Sequence, residues 1–117
     1  MIADQHPNNI GVVPAATAIQ MDGLSFLQNM ISKQFPVPPF AGTSDIWLIE
    51  AEHGRVVFEG TPSQRFLNPL GTIHGGWIST LLDSAMGCAV HSTLSERRRS
   101  APACGERGTG VRDGGEG

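Results

Sequence analysis

Residues 68–90 read NPLGTIHGGWISTLLDSAMGCAV, a turn rich in proline and glycine followed by a largely apolar segment. From Trp77 onward the apolar residues recur at helical spacing and cover most of a helix circumference. The remaining residues form a narrow polar stripe: Ser79, Thr80, Asp83 and Gly87. Because a helix that is apolar nearly all round is a buried one, the stretch predicts a central helix that other elements cover.

Asp83 is the unusual residue of this helix, because a carboxylate among apolar side chains costs free energy unless it has a partner or a task. It follows His74 by nine residues. At about 100° and 1.5 Å per residue, the two lie on opposite sides of the helix and about 13 Å apart along its axis. They can act on one substrate only if they come from two copies of the chain. The structural alternative is that Asp83 bonds Ser79, Thr80 or a nearby loop amide.

Gly75 and Gly76 stand where this helix begins, so their N–H groups lie at the positive end of the helix dipole. Without a Cβ, the backbone there can approach a ligand carbonyl closely. The pair therefore suggests an oxyanion-type donor site for acyl transfer, although glycines at a helix start are also ordinary turn residues. Asn68 offers a donor and an acceptor; taken alone, it reads as a turn starter before proline.

The chain before this stretch divides into a lead-in, a helix and a linker. Residues 1–21 are of mixed composition and read as a flexible lead-in. Residues 22–35 predict a short helix, with Asp22 as N-cap and apolar residues at helical spacing. The helix ends at residues 36–40, PVPPF, where three prolines indicate an extended linker.

A β-hairpin is predicted between the linker and the central helix. Residues 45–52 (DIWLIEAE) and 55–60 (RVVFEG) are rich in strand-forming residues, and His53-Gly54 joins them as a turn. The second strand continues toward residue 66 in this interpretation, with an edge position or a bulge at Pro62.

The sequence from residue 95 onward has a different character. Residues 95–117 contain six glycines and nine charged residues, with no helical or alternating pattern, and are predicted to be disordered. One hairpin and one amphipathic helix are too little to cover the central helix, so either a partner chain covers it or the chain is incomplete. The abrupt change in composition suggests a frameshift or truncation near codon 95.

Composition limits the function classes. The 117 residues are 39% hydrophobic and carry a net charge of −3, which fits one small domain and gives no electrostatic reason to expect nucleic acid or a membrane surface. The N-terminus lacks signal-peptide features, and the longest apolar run is too short to cross a bilayer. The cysteines and histidines show no metal-ligand spacing. We therefore expect a cytoplasmic protein without metal or cofactor.

In combination, these features resemble the signature of the PaaI-like acyl-CoA thioesterases of the hotdog fold. That signature is a hairpin, then Asn-x-x-Gly-x-x-His-Gly-Gly, then a long helix with an acidic residue nine positions after the histidine. The matching residues are Asn68, Gly71, His74, Gly75, Gly76 and Asp83. The resemblance covers residues 22–94 and implies an α+β fold, here an incomplete hotdog domain that lacks most of its antiparallel sheet.

The resemblance also implies a division of labour in hydrolysing an acyl-CoA. The Gly75 amide polarises the thioester carbonyl, while Asn68, His74 and Gly76 shape that end of the substrate site. Asp83 of a facing subunit acts as the base that activates water, in a homodimer or homotetramer. Two alternatives remain: a non-catalytic hotdog remnant that pairs with an intact homologue, and a hotdog relative with dehydratase or acyl-binding function. The sequence does not specify the acyl group.

Overall fold

The computed structural model describes residues 9–95 and shows an α+β chain with a two-stranded antiparallel sheet. The predicted fold class, a partial hotdog fold, is confirmed. The predicted tail lies outside the described residues from residue 96 onward. The elements are α1 (Ala15–Ala18), α2 (Gly23–Ile31), α3 (Pro39–Ser44), β1 (Ile46–Glu52), β2 (Arg55–Gly60), a 3-10 turn (Gln64–Phe66) and the central helix α4 (Gly75–His91).

Helix α2 begins where its capping residue predicts. The Asp22 carboxylate accepts a hydrogen bond from the Ser25 amide at 3.0 Å, which satisfies one of the unpaired donors of the first turn. Leu27 is only 2% exposed, and the Gln28 side chain donates to the Ala51 carbonyl of β1 at 3.1 Å. Helix α2 therefore lies against the sheet.

The linker prediction for residues 36–40 is wrong in its last two residues. Pro38 is extended, but Pro39 begins helix α3. Proline is well suited to the first helical position, because its fixed φ fits the helix and its missing N–H has no intrahelical partner there. The prolines therefore end one helix and begin the next.

The hairpin prediction is confirmed. Strands β1 and β2 pair from Ile46 opposite Gly60 to Glu52 opposite Arg55, and Gly54 takes the positive φ of 79° that the turn requires. The predicted extension of β2 toward residue 66 is wrong. The chain leaves the sheet after Thr61, whose amide still donates to Asp45; Pro62 follows and has no N–H to donate.

Helix α4 is fixed to the hairpin side of the molecule at both ends. At its start, the Trp77 indole donates to the Ser44 carbonyl at 2.8 Å and lies so close to Gly60 that a Cβ there would come within 2.8 Å of the ring. Beyond its end, the hydroxyl of Ser92, a residue 2% exposed, accepts from the Gly54 amide at 2.7 Å. The helix is therefore held in a defined position across the sheet.

The outer face of α4 stays open to solvent. Its large apolar side chains, which we call the apolar ridge, are 45–64% exposed: Ile78, Leu82, Met86 and Val90. The helix is confirmed, but within the described residues 9–95 none of its residues is buried, because the hairpin and α2 cover one side only. An apolar side chain that stays exposed forfeits about 1.5–3 kcal/mol of burial free energy.

Two glycine-to-alanine substitutions test this packing. At Gly23 a Cβ would overlap the carbonyl oxygen of His91, whereas at Gly87 it meets nothing within 4 Å. We expect Gly23→Ala to destabilise the chain by about 1–3 kcal/mol through overpacking, and Gly87→Ala to stabilise it by up to about 1 kcal/mol through helix propensity. Urea unfolding midpoints measure both. Equal shifts in the same direction would contradict the close approach of Gly23 in α2 to His91 at the end of α4.

Candidate functional site

The turn before α4 leaves one backbone donor available. His74 is the N-cap, and its Nδ1 accepts the Gly76 N–H at 2.8 Å. In the neutral imidazole the proton therefore lies on Nε2. No acceptor among residues 9–95 takes the Gly75 N–H, and a Cβ on Gly75 would meet nothing within 4 Å. Of the two predicted oxyanion donors, the Gly76 N–H is engaged inside the turn, and the Gly75 N–H has no acceptor among the described residues.

Asn68 organises the loop that leads to this turn. Its Oδ1 accepts from the amides of Leu70 at 2.9 Å and Thr72 at 3.1 Å, and its Nδ2 donates to the Thr72 hydroxyl at 2.8 Å. Gly71, at φ 86°, supplies the left-handed residue in this loop. The geometry thus supports the structural alternative for Asn68, and the predicted substrate contact of its side chain stays a prediction.

The loop is also fixed at its base. The His74 amide donates to the Phe66 carbonyl at 2.8 Å, and Leu67 and Ile73 form an isolated antiparallel bridge. The 3-10 turn and the start of α4 are therefore joined directly by backbone hydrogen bonds.

Asp83 is exposed in the middle of α4, and its carboxylate has no hydrogen-bond or ion-pair partner within the described part of the chain. The structural alternative for this residue is not found. The Thr80 hydroxyl donates instead to the Gly76 carbonyl at 2.9 Å. The sequence suggested a free-energy cost for burying this carboxylate among apolar side chains. The single chain does not incur that cost, because Asp83 lies at an open surface.

That surface is the wall of a cavity of about 590 Å³, a volume typical of small-molecule sites. Asp83, Ser84 and Cys88 line it from α4. The facing walls come from α2, the linker, α3 and the sheet, and are largely apolar: Met30, Ile31, Phe35, Val37, Phe40, Ile46, Leu48 and Phe58. The sequence did not reveal this cavity, since its walls belong to five segments whose relative placement no local pattern encodes. We call it the apolar cavity.

A second, smaller cavity of about 270 Å³ lies nearer the start of α4 and shares Phe40 and Ser44 with the apolar cavity. His74 and Gly76 line it together with Arg65, Phe66 and Trp77. Asp83 thus borders the apolar cavity and His74 borders the second cavity. This agrees with the helical arithmetic: one chain does not bring the two residues together.

The apolar surroundings affect the ionisation of Cys88. Burial raises the pKa of the Cys88 thiol, so this thiol stays protonated and poorly nucleophilic near neutral pH. Among residues 9–95, no group of three or more His, Cys, Asp or Glu side chains is placed to hold a metal ion.

Comparison with known families gives one match. The family model of the thioesterase superfamily matches residues 70–113, which include the glycine turn, α4 and Asp83 but not Asn68. The match covers less than half of the 117 residues. No curated protein and no solved structure matches the chain. The chain is therefore similar to the thioesterase superfamily where its candidate site lies, and thioester hydrolysis is the general activity that this similarity indicates.

Two further findings concern the expectations about location and the tail. No helix of residues 9–95 is long and apolar enough to cross a membrane. The family match continues past Leu94 into residues outside the described range, and the predicted change of reading frame near codon 95 stays a prediction.

Replacing Asn68 separates its two possible roles. In Asn68→Ala the amides of Leu70 and Thr72 lose their acceptor, so we expect their hydrogen exchange to become at least about tenfold faster, as the loss of roughly 1.4 kcal/mol of local protection implies. Asn68→Asp keeps a side-chain oxygen as acceptor and serves as the control, in which we expect much smaller changes in exchange rate. Amide exchange followed by NMR measures both. Unchanged exchange in the alanine variant would show that the side chain does not hold the loop.

The reactivity of Cys88 tests the apolar cavity. In a Cys104→Ser background Cys88 is the only cysteine, and its raised pKa places ionisation at a higher pH than that of an ordinary thiol. We expect alkylation by iodoacetamide to be slow at neutral pH and to accelerate only at more alkaline pH, because the thiolate is the reacting species. Mass spectrometry follows the reaction. A rate profile like that of a free cysteine would contradict the burial of this residue.

Proposed function

We propose that this chain is an acyl-CoA thioester hydrolase of the PaaI-like type, with each site formed between two copies. The observation that carries the proposal is a pair of unengaged groups on one helix, within the thioesterase match. The Gly75 N–H has no acceptor among the described residues, and the Asp83 carboxylate borders an apolar cavity without a partner among them.

The Gly75 amide is the electrophilic element in this proposal. The thioester carbonyl oxygen accepts its N–H at the positive end of the α4 dipole, where the negative charge of a tetrahedral intermediate is stabilised. His74 engages the neighbouring Gly76 amide and thereby sets the shape of the turn. Asn68 holds the preceding loop. Both act as positioning residues for the Gly75 amide.

The Asp83 carboxylate is the base. It takes a proton from a water molecule while the water oxygen forms a bond to the thioester carbon. Collapse of the tetrahedral intermediate breaks the carbon–sulfur bond, and the thiolate leaves and takes back the proton held by Asp83. The products are the carboxylic acid and the free thiol. The apolar cavity beside Asp83 accommodates the acyl group.

Helix geometry requires two chains for this reaction. Gly75 and Asp83 are eight residues apart in one straight helix, which is about 12 Å along the axis. Ser79 lies midway between them. Two antiparallel α4 helices related by a twofold axis near Ser79 therefore bring Gly75 of one copy level with the partner's Asp83. The apolar ridge supplies the surface that such an assembly buries, and a homodimer is the smallest assembly that satisfies this geometry.

Three variants test the two groups separately. Asp83→Asn removes the base, and we expect kcat to fall by about 100-fold or more. Gly75→Pro removes only the N–H: proline suits the first helical position, and His74 at φ −64° and ψ 133° has the conformation favoured before proline. We expect a loss of about 100-fold or more in kcat. Gly75→Ala keeps the N–H and is the matched control. Thiol release from a panel of acyl-CoA esters is the assay.

Mixing two inactive variants tests the shared site. A dimer of one Asp83→Asn chain and one Gly75→Pro chain has one intact site, because the intact glycine and the intact aspartate come from different chains. Random assortment predicts recovery of about a quarter of the wild-type rate. Recovery would not occur if both groups acted within one chain. Absence of thiol release from every ester by the wild-type chain, with co-purification of an intact homologue, would favour the interaction-protein alternative.

A further inference from the structure

The second cavity contains a cationic group that the proposed reaction does not use. Arg65 lies on the 3-10 turn and lines this cavity together with His74 and Gly76, the residues on either side of Gly75. We propose that Arg65 binds the phosphate of the phosphopantetheine arm that carries the thioester. This inference rests on the proposed hydrolase function and assigns the leaving-group side of its substrate.

The guanidinium of Arg65 is held by stacked aromatic rings. Its central carbon lies 4.9 Å from the Phe66 ring centroid, and the Phe66 ring stacks on Trp77 with centroids 5.6 Å apart. Trp77 is in turn fixed by its hydrogen bond to Ser44. Stacking on a ring face uses the plane of the guanidinium and leaves its N–H groups available to an anion. Arg65 is therefore a positioned cation on the wall of a cleft.

Arg65 and Arg55 differ in whether they pair with carboxylates. Arg55 is committed to acidic side chains of the sheet, at 3.2 Å from Glu50 and 3.6 Å from Glu52. Arg65 makes no ion pair with any carboxylate of residues 9–95, and no acidic residue of that range lines the second cavity. The cavity therefore carries an uncompensated positive charge, and a guanidinium fork matches the oxygens of a phosphate.

Arg65 and the Gly75 amide are also held at a fixed spacing. The hydrogen bond from the His74 amide to the Phe66 carbonyl joins the 3-10 turn directly to the start of α4, and the Leu67–Ile73 bridge closes the loop between them. A thioester whose carbonyl is bound at Gly75 can place its acyl group toward the apolar cavity of the facing copy. Its pantetheine arm then follows the second cavity of the same copy toward Arg65.

The test compares three thioesters of the same acyl group: acyl-CoA, acyl-phosphopantetheine and acyl-pantetheine. In Arg65→Ala we expect KM to rise about tenfold for the two phosphorylated substrates, with kcat unchanged, because one charge-assisted contact is lost. Acyl-pantetheine lacks the phosphate and should be hydrolysed as by the wild type. Arg55→Ala is the matched control and should change none of the three. The hydrolysis rates of the wild type with acyl-CoA and with an acylated carrier protein show whether CoA or a protein carries the phosphopantetheine arm.

Three other outcomes with the three thioesters would overturn the assignment of Arg65 to the phosphate. Equal losses for all three thioesters would mean that Arg65 only supports the structure of the turn. No loss would mean that it contacts no phosphate, and a loss confined to acyl-CoA would place the contact on the nucleotide instead of the arm. Binding of free CoA, measured by calorimetry, separates this inference from the proposed hydrolysis. If no thioester is cleaved but Arg65→Ala still weakens CoA binding about tenfold while Arg55→Ala does not, the hydrolase proposal fails and the binding site stands.

Discussion

The straight helix α4 keeps the Gly75 amide and the Asp83 carboxylate about 12 Å apart along one axis. The intrahelical hydrogen bonds fix this separation, and the helix is tied to its surroundings at its start through Trp77 to Ser44 and just beyond its end through Ser92 to Gly54. Asp83 borders the apolar cavity, whereas the residues on either side of Gly75 border the second cavity. Every step of the proposed chemistry depends on this constraint, because a single chain offers each half of a site but never both halves to one substrate.

The same helix links folding to assembly. Its apolar ridge stays 45–64% exposed, and four such half-exposed side chains together forfeit roughly 3–7 kcal/mol of burial free energy, a large part of the margin of about 5–15 kcal/mol that stabilises a typical domain. A surface that covers the ridge therefore stabilises the chain by mass action. In the proposed dimer, the contact that buries the ridge also completes the site, so stability and activity should rise together with protein concentration.

Local signals in the sequence predicted α2, the hairpin and α4, whereas α1, α3, the 3-10 turn and the long-range contacts were not predicted. Asp22 as a cap, Gly54 in the hairpin turn and the helical period after His74 each act within a few residues, and all three are found in the structure. The start of α3 at Pro39 was missed because the prolines were interpreted only as helix breakers. The apolar cavity and the stacking of Phe66 on Trp77 could not be predicted, because they join segments that are separated in the sequence. For Asn68 the sequence left two roles open, and three hydrogen bonds support the structural one.

A crystal structure with a non-hydrolysable substrate analogue tests the shared site most directly. In S-(2-oxoalkyl)-CoA a methylene separates the sulfur from the carbonyl, so the ketone oxygen remains as a reporter of the oxyanion position. The account predicts this oxygen within about 3 Å of the Gly75 nitrogen of one chain, with the partner's Asp83 beside the carbonyl carbon. An analogue bound with its carbonyl away from Gly75, or with both groups supplied by one chain, would contradict it.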